Sequence, residues 1–129
     1  MHRARILLVD DDEAIREFVS MALDDEGYEI ITAPDGAAAL DLIGRQPPSL
    51  ILLDMHMPVM DGWAFARAYR QLPAPRAPIV VLTAARDVAI HTAQIDAEGF
   101  LAKPFDLIEL ITLVDEYTRR ARDGPVDAA

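Results

Sequence analysis

Five side chains in this sequence are of the types that handle phosphate and divalent cations, and each follows a short apolar run. Asp10 and Asp11 follow Ile6-Leu7-Leu8-Val9, Asp54 follows Leu50-Ile51-Leu52-Leu53, Thr83 follows Ile79-Val80-Val81-Leu82, and Lys103 follows Phe100-Leu101-Ala102. Three carboxylates brought together repel one another, and one would stay protonated unless a cation lay among them. An all-oxygen donor set in a chain without cysteine selects a hard ion, and a shallow, hydrated acid cluster suits Mg²⁺. A lysine and a hydroxyl beside such a centre can hold the oxygens of a phosphoryl group. A carboxylate can receive that group as an acyl phosphate, and Asp54, alone at the end of its run, is the candidate nucleophile.

The elements that must bring these residues together are legible in the spacing. The apolar runs read as strands buried on both faces, bounded by turn residues such as Pro47-Pro48 and Pro58. Tyr28 to Thr32 reads as a further, β-branched strand near an edge. Between the strands lie helical patterns. Ile15, Phe18, Val19 and Ala22 form one apolar stripe, closed by Gly27. A second helix starts at Asp35-Gly36 and runs to about Ile43, ended by Gly44 and the prolines. A third opens at Asp61-Gly62 and carries Trp63, Phe65, Ala66 and Tyr69 up to the Pro73-Ala74-Pro75 turn. A fourth covers Val88 to Ile95. The last is capped by Asp106 and presents Leu107, Leu110, Ile111, Val114 and Tyr117 on one stripe. Five strands alternating with five helices predict a doubly wound parallel α/β sheet. Right-handed crossovers then put the ends of strands one, three, four and five at one edge, where ligands of such sheets bind.

Composition narrows the function classes. At 129 residues with 52% hydrophobic residues, the chain can bury a core of its own without disulfides. A net charge of −10 argues against gripping a nucleic-acid backbone, which needs a basic surface. The early apolar run is too short for a signal segment or a membrane span. With no cysteine, a cytoplasmic protein is the expectation. One domain over 1–122 is expected, with 123–129 as a flexible tail or the start of a linker.

Taken together, Asp10-Asp11, Asp54 with Met57-Pro58 and Asp61-Gly62, Thr83-Ala84, and Lys103-Pro104-Phe105 resemble the receiver domains of two-component response regulators, CheY-like proteins of flavodoxin-like topology. The resemblance covers residues 4 to about 121. It implies strand order 2-1-3-4-5 and a phosphoryl group taken by Asp54 from a histidine kinase or histidine phosphotransfer protein. It implies Mg²⁺ held by Asp10, Asp11, Asp54 and the backbone carbonyl of His56. It further implies that Thr83 and Lys103 contact the phosphoryl group, that Phe100 turns inward on switching, and that the Lys103-Pro104 bond is cis. The downstream partner would be another protein or an output domain, with a phosphorylation-dependent dimer as one form of output.

Each of these residues also has an ordinary structural use. Asp10 and Asp11 could cap a helix, although Asp12 suffices for that. Thr83 could be a β-branched strand residue, Lys103 a solvated cation, and Phe100 a core aromatic. His56 is expected to face solvent, Trp63 to pack near the loop after Asp54, and His2 and His91 carry no chemical signal. One departure from the receiver pattern stands out. Thr83 to Phe100 is about two residues short, and Asp96-Ala97-Glu98-Gly99 lacks the usual Gly-Ala pair, which predicts a shortened or irregular fourth helix. Two rivals follow from the same residues: a haloacid-dehalogenase-like phosphatase with Asp10 as nucleophile, and a receiver-fold interaction module that works without phosphorylation. Glu13 stands against the first, since glycine would be expected there.

Overall fold

The computed structural model of the protein describes residues 3–123. Its elements alternate as β1 (Arg5–Val9), α1 (Glu13–Asp25), β2 (Glu29–Ala33), α2 (Gly36–Arg45), β3 (Leu50–Asp54), α3 (Gly62–Arg70), β4 (Ile79–Ala84), α4 (Val88–Ile95), β5 (Gly99–Lys103) and α5 (Leu107–Asp123). A turn of 3₁₀ helix, Ala85–Asp87, precedes α4. The five strands pair in parallel in the order β2-β1-β3-β4-β5, as expected.

Alternation along the strands sorts the core into two layers. Ile6, Leu8, Leu50, Leu52, Val80, Leu82 and Leu101 pack against Val19 and Leu23 of α1 and Leu110 and Val114 of α5. Leu7, Val9, Ile51, Leu53, Ile79 and Val81 pack on the opposite face against α2, α3 and Ile95 of α4. The central strand β3 is buried along its whole length, which is why it reads as an uninterrupted apolar run.

The helix ends are set by local chemistry. Asp12, Asp35 and Asp61 each accept a backbone N–H from the first turn of α1, α2 and α3. Asp106 and Glu109 form a reciprocal capping box at α5. Past α1, Gly27 has φ 93°, and the backbone N–H groups of Gly27 and Tyr28 close on Asp24 and Leu23, the left-handed stop that glycine allows.

Four sequence expectations need correction. Phe18 and Leu107 were assigned to buried stripes by periodicity, but they are 43% and 44% exposed. Phe18 lies at the edge of its stripe with its ring against Phe105, and Leu107 sits in the first turn of α5, before the helix reaches the core at Leu110. The second helix continues through Gly44 to Arg45, because one glycine costs a helix only about 1 kcal/mol. The fourth strand does not stop before Thr83 but includes it, paired with Ala102. The described part of α5 runs to Asp123, and 124–129 and His2 lie outside the described residues. The fourth helix also departs from expectation: it is neither shortened nor irregular but runs as one α-helix over Val88–Ile95, the range its pattern gave, preceded by the 3₁₀ turn and ended at Asp96, whose φ is 55°.

Candidate functional site: an acidic pocket at the carboxyl edge of the sheet

The chain runs from β1 to β2 on one side of the sheet and resumes at β3 on the other, so strand order reverses between β1 and β3. The crevice at such a reversal is where open α/β sheets bind ligands. Asp10 follows the last residue of β1 and Asp54 is the last of β3, so both arrive there. Strand parity settles which way they face. Leu8 and Leu52 point toward α1 and α5, and Asp10 and Asp54, two residues further on, keep that direction. Lys103, two residues past Leu101, shares it.

The ammonium of Lys103 donates to Asp10 Oδ2 at 3.0 Å and to Asp54 Oδ1 at 3.2 Å. Asp10 is fully buried, and its other oxygen accepts the Asp12 backbone N–H at 3.0 Å. Arg16 donates to the Asp10 backbone carbonyl at 2.7 Å, which fixes the start of the acidic loop. Asp11 is exposed at the mouth. Asp10, Asp11 and Asp54 can each offer one oxygen within 4.8 Å of the others. Three carboxylate oxygens at that spacing, open to solvent on the Asp11 side, fit a hard divalent ion that keeps part of its water shell.

Burial pushes the Asp54 carboxyl up to about 6, with the charge of Asp10 adding to the rise and Lys103 opposing it. For Lys103, burial works against the ammonium, but the hydrogen bond and charge of Asp10, together with Asp54, outweigh it and the group is raised. The pocket therefore holds an excess of negative charge that one lysine does not neutralise. A divalent cation would supply the balance.

Thr83 lies on the other face. Its neighbour Leu82 points toward α1 and α5, so Thr83 points toward α4, where its hydroxyl meets His91 Nδ1 at 2.9 Å. Phe100 sits on that face as well, at the β5 edge, and is 50% exposed rather than core. The His56 side chain is exposed, as expected, and its ring meets Trp63 and His91 edge-on. The Lys103-Pro104 peptide bond is cis, and so is Ala74-Pro75. The residue that sequence reasoning missed is His91. It is buried, and no signal in its own neighbourhood marks it, because every group it touches comes from another element.

A doubly wound sheet with an acid pocket, a lysine across it and a threonine at the neighbouring strand end has the parts of a phosphoryl-handling α/β domain. The profile of the response regulator receiver domain matches residues 6–115, and the chain belongs to that family. It is 40% identical to the response regulator MprA of Mycobacterium leprae over 97% of this chain and 54% of that one. Among solved structures it is similar to the chemotaxis protein CheY4 of Vibrio cholerae, with a TM-score of 0.80 and 34% identity over 90% of this chain and 99% of that one. It is also similar to NtrX from Brucella abortus, with a TM-score of 0.83 and 31% identity over 94% of this chain and 28% of that one. The chain spans about half the length of the curated relatives it matches. The protein is thus a receiver domain of two-component signalling, and the phosphatase reading built on Asp10 falls away. No helix among the described residues is long and apolar enough to cross a membrane.

Proposed function

We propose that Asp54 is the phosphoacceptor and that Asp10, Asp11 and Asp54, with the His56 backbone carbonyl, hold Mg²⁺. The observation that supports this most is the convergence of Asp54 with Asp10, Asp11 and Lys103 at the sheet's reversal point. An Asp54 oxygen attacks the phosphorus of a phosphohistidine, the P–O bond forms as the P–N bond breaks, and the departing imidazole takes up a proton. Mg²⁺ would supply charge to the phosphoryl oxygens. Lys103 would also donate to them, and the Thr83 hydroxyl would donate once it has left the α4 face. On this reading the domain is a signalling phosphoacceptor whose only chemistry is its own phosphorylation and dephosphorylation.

The donor would be a histidine kinase or a histidine phosphotransfer protein, and a cytoplasmic location goes with such donors. An apolar surface formed by Ala14, Ile15, Phe18, Pro104 and Phe105 lies directly beside Lys103, suited to a donor helix that must bring its histidine to Asp54. Exposed Ile90, Phe100 and Ile108 offer apolar area on α4, β5 and α5 for a downstream protein or output domain. The receiver unit takes in 1–122, with 123–129 as a tail or the start of a linker, and a net charge of −10 disfavours direct binding of nucleic acid.

The test is intact mass after incubation with Mg²⁺ and acetyl phosphate, for wild type, Asp54→Asn and Asp10→Asn. Addition of one phosphoryl group that needs Mg²⁺ and is lost in Asp54→Asn supports the proposal. Label that survives in Asp54→Asn overturns it. No label with acetyl phosphate or with donor proteins would leave a receiver-fold interaction module.

A further inference from the structure

We propose that His91 is a positioning residue for Thr83: it holds the hydroxyl on the α4 face of the sheet, and must release it before Thr83 can contact a phosphoryl group on Asp54. The inference deepens the proposed function and rests on Asp54 being the phosphoacceptor.

The argument begins with geometry. The Thr83 and His91 side chains are both buried, and the 2.9 Å contact to Nδ1 is the hydroxyl's one hydrogen bond among the described residues. Asp54, Asp10 and Lys103 face the other side of the sheet, with Asp54 in register with Leu82, one position before Thr83. The hydroxyl must therefore turn about its own Cα–Cβ bond to reach the pocket, and the contact to His91 opposes that turn.

In the tautomer that carries the ring hydrogen on Nε2, hydrogen counting makes the two positions exclusive. A threonine hydroxyl has one hydrogen to give, and the oxygens of a dianionic phosphoryl group only accept. With the ring hydrogen of His91 on Nε2, Nδ1 is also an acceptor, so imidazole and phosphoryl group compete for one hydrogen. The ring is itself held, with its centroid 5.1 Å from that of Trp63 and 5.6 Å from that of His56, and Trp63 donates to Gln94 on α4. His56 belongs to the loop directly after Asp54. Release of Thr83 is thereby linked to both that loop and the fourth helix.

A buried hydrogen bond of ordinary net strength leaves the released hydroxyl as a minority of roughly one molecule in five. A ligand that needs the released form binds more weakly by that fraction. Replacing His91 by a residue of similar bulk and no acceptor should therefore tighten binding of a phosphoryl analogue about fivefold.

The experiment is calorimetric titration of beryllofluoride into the Mg²⁺-saturated protein. His91→Phe should bind about fivefold tighter than wild type. His91→Asn, whose amide oxygen can replace Nδ1, should stay within about twofold. Thr83→Val should bind more weakly, and His91→Phe added to it should change nothing, an outcome that a merely structural role for His91 would not produce. Should His91→Phe not fold, His91→Leu carries the same expectation. Equal or weaker binding in the folded variant overturns the proposal, and so does a gain that persists with Thr83→Val. If the wild type shows no Mg²⁺-dependent phosphorylation of Asp54, the phosphoacceptor reading fails and takes this inference with it. A phosphorylated wild type with no gain in His91→Phe overturns this inference alone.

Discussion

Lys103 donates to Asp54 at 3.2 Å although their strands are not neighbours, because β4 lies between β3 and β5. The lysine stem spans that strand's end, and its ammonium bridges Asp54 and Asp10. Negative charge in the pocket is thus opposed, though not neutralised, by one long, single-stem cation that a divalent ion can displace or join.

Removing that cation should have opposite effects on two measurements. Lys103→Met leaves three carboxylates unopposed, so Mg²⁺ affinity should rise severalfold when followed by titration calorimetry. Labelling by acetyl phosphate should fall about 100-fold, the usual loss when one preorganised donor to a developing anion is removed. A fall in both would mean that Lys103 shapes the pocket rather than competing with the metal.

Asp54 makes folding stability depend on pH with a definite sign. Its folded value of about 6 lies above the ordinary 3.8, so between these values the folded chain binds more protons than the unfolded one. Stability from this group is full below pH 4 and is lost as pH rises through 6. In metal-free buffer, Asp54→Asn should gain on wild type across that window, reaching about 3 kcal/mol at pH 7 by urea unfolding. Saturating Mg²⁺ should stabilise wild type at pH 7 and narrow the gap. A gap that stays constant from pH 4 to 7 would show that Asp54 is not raised by burial.

Gly62 is required by a close approach rather than by its dihedral angles. A Cβ there would lie 2.7 Å from Met55 Sδ and 2.8 Å from the Asp54 backbone oxygen, while the Gly62 N–H bonds the Met55 carbonyl at 3.0 Å. Gly62→Ala must push α3 away from the end of β3. A loss of about 1–3 kcal/mol is expected in thermal or urea unfolding, together with weaker Mg²⁺ binding. Unchanged values in both would show that the loop yields freely.

Val59, in the loop between β3 and α3, has φ 68° and is 85% exposed, so it bears left-handed strain with little packing in return. Val59→Asn, a residue that tolerates this region, should raise unfolding stability by about 0.5–1 kcal/mol. Labelling of Asp54 should be unaffected, since the Val59 side chain is 85% exposed and is none of the carboxylates or the lysine that form the pocket. A destabilised variant would count against strain at this position.

Much of this protein was legible in its sequence because the governing interactions are local. Asp12, Asp35, Asp61 and Asp106 announce helix starts, since a cap bonds N–H groups two or three residues away. The run Leu50 to Leu53 announces a strand covered on both faces, and its terminal Asp54 marks the crevice. Right-handed crossovers put these strand ends at one edge, and the strand order implied by the receiver resemblance then brings Asp10, Asp54 and Lys103 together.

The rest depends on distances between groups far apart in sequence. Periodicity gave Phe18 and Leu107 the same weight as Val19 and Leu110, because it records direction around a helix axis and not how far each neighbouring element extends. His91 had no signal at all. Its meaning comes from Thr83 across a turn, from Trp63 on α3, and from His56 in the loop after Asp54. Only packing of α4 against the sheet edge joins those groups, and a side chain's partners across a core leave no trace in its own sequence neighbourhood.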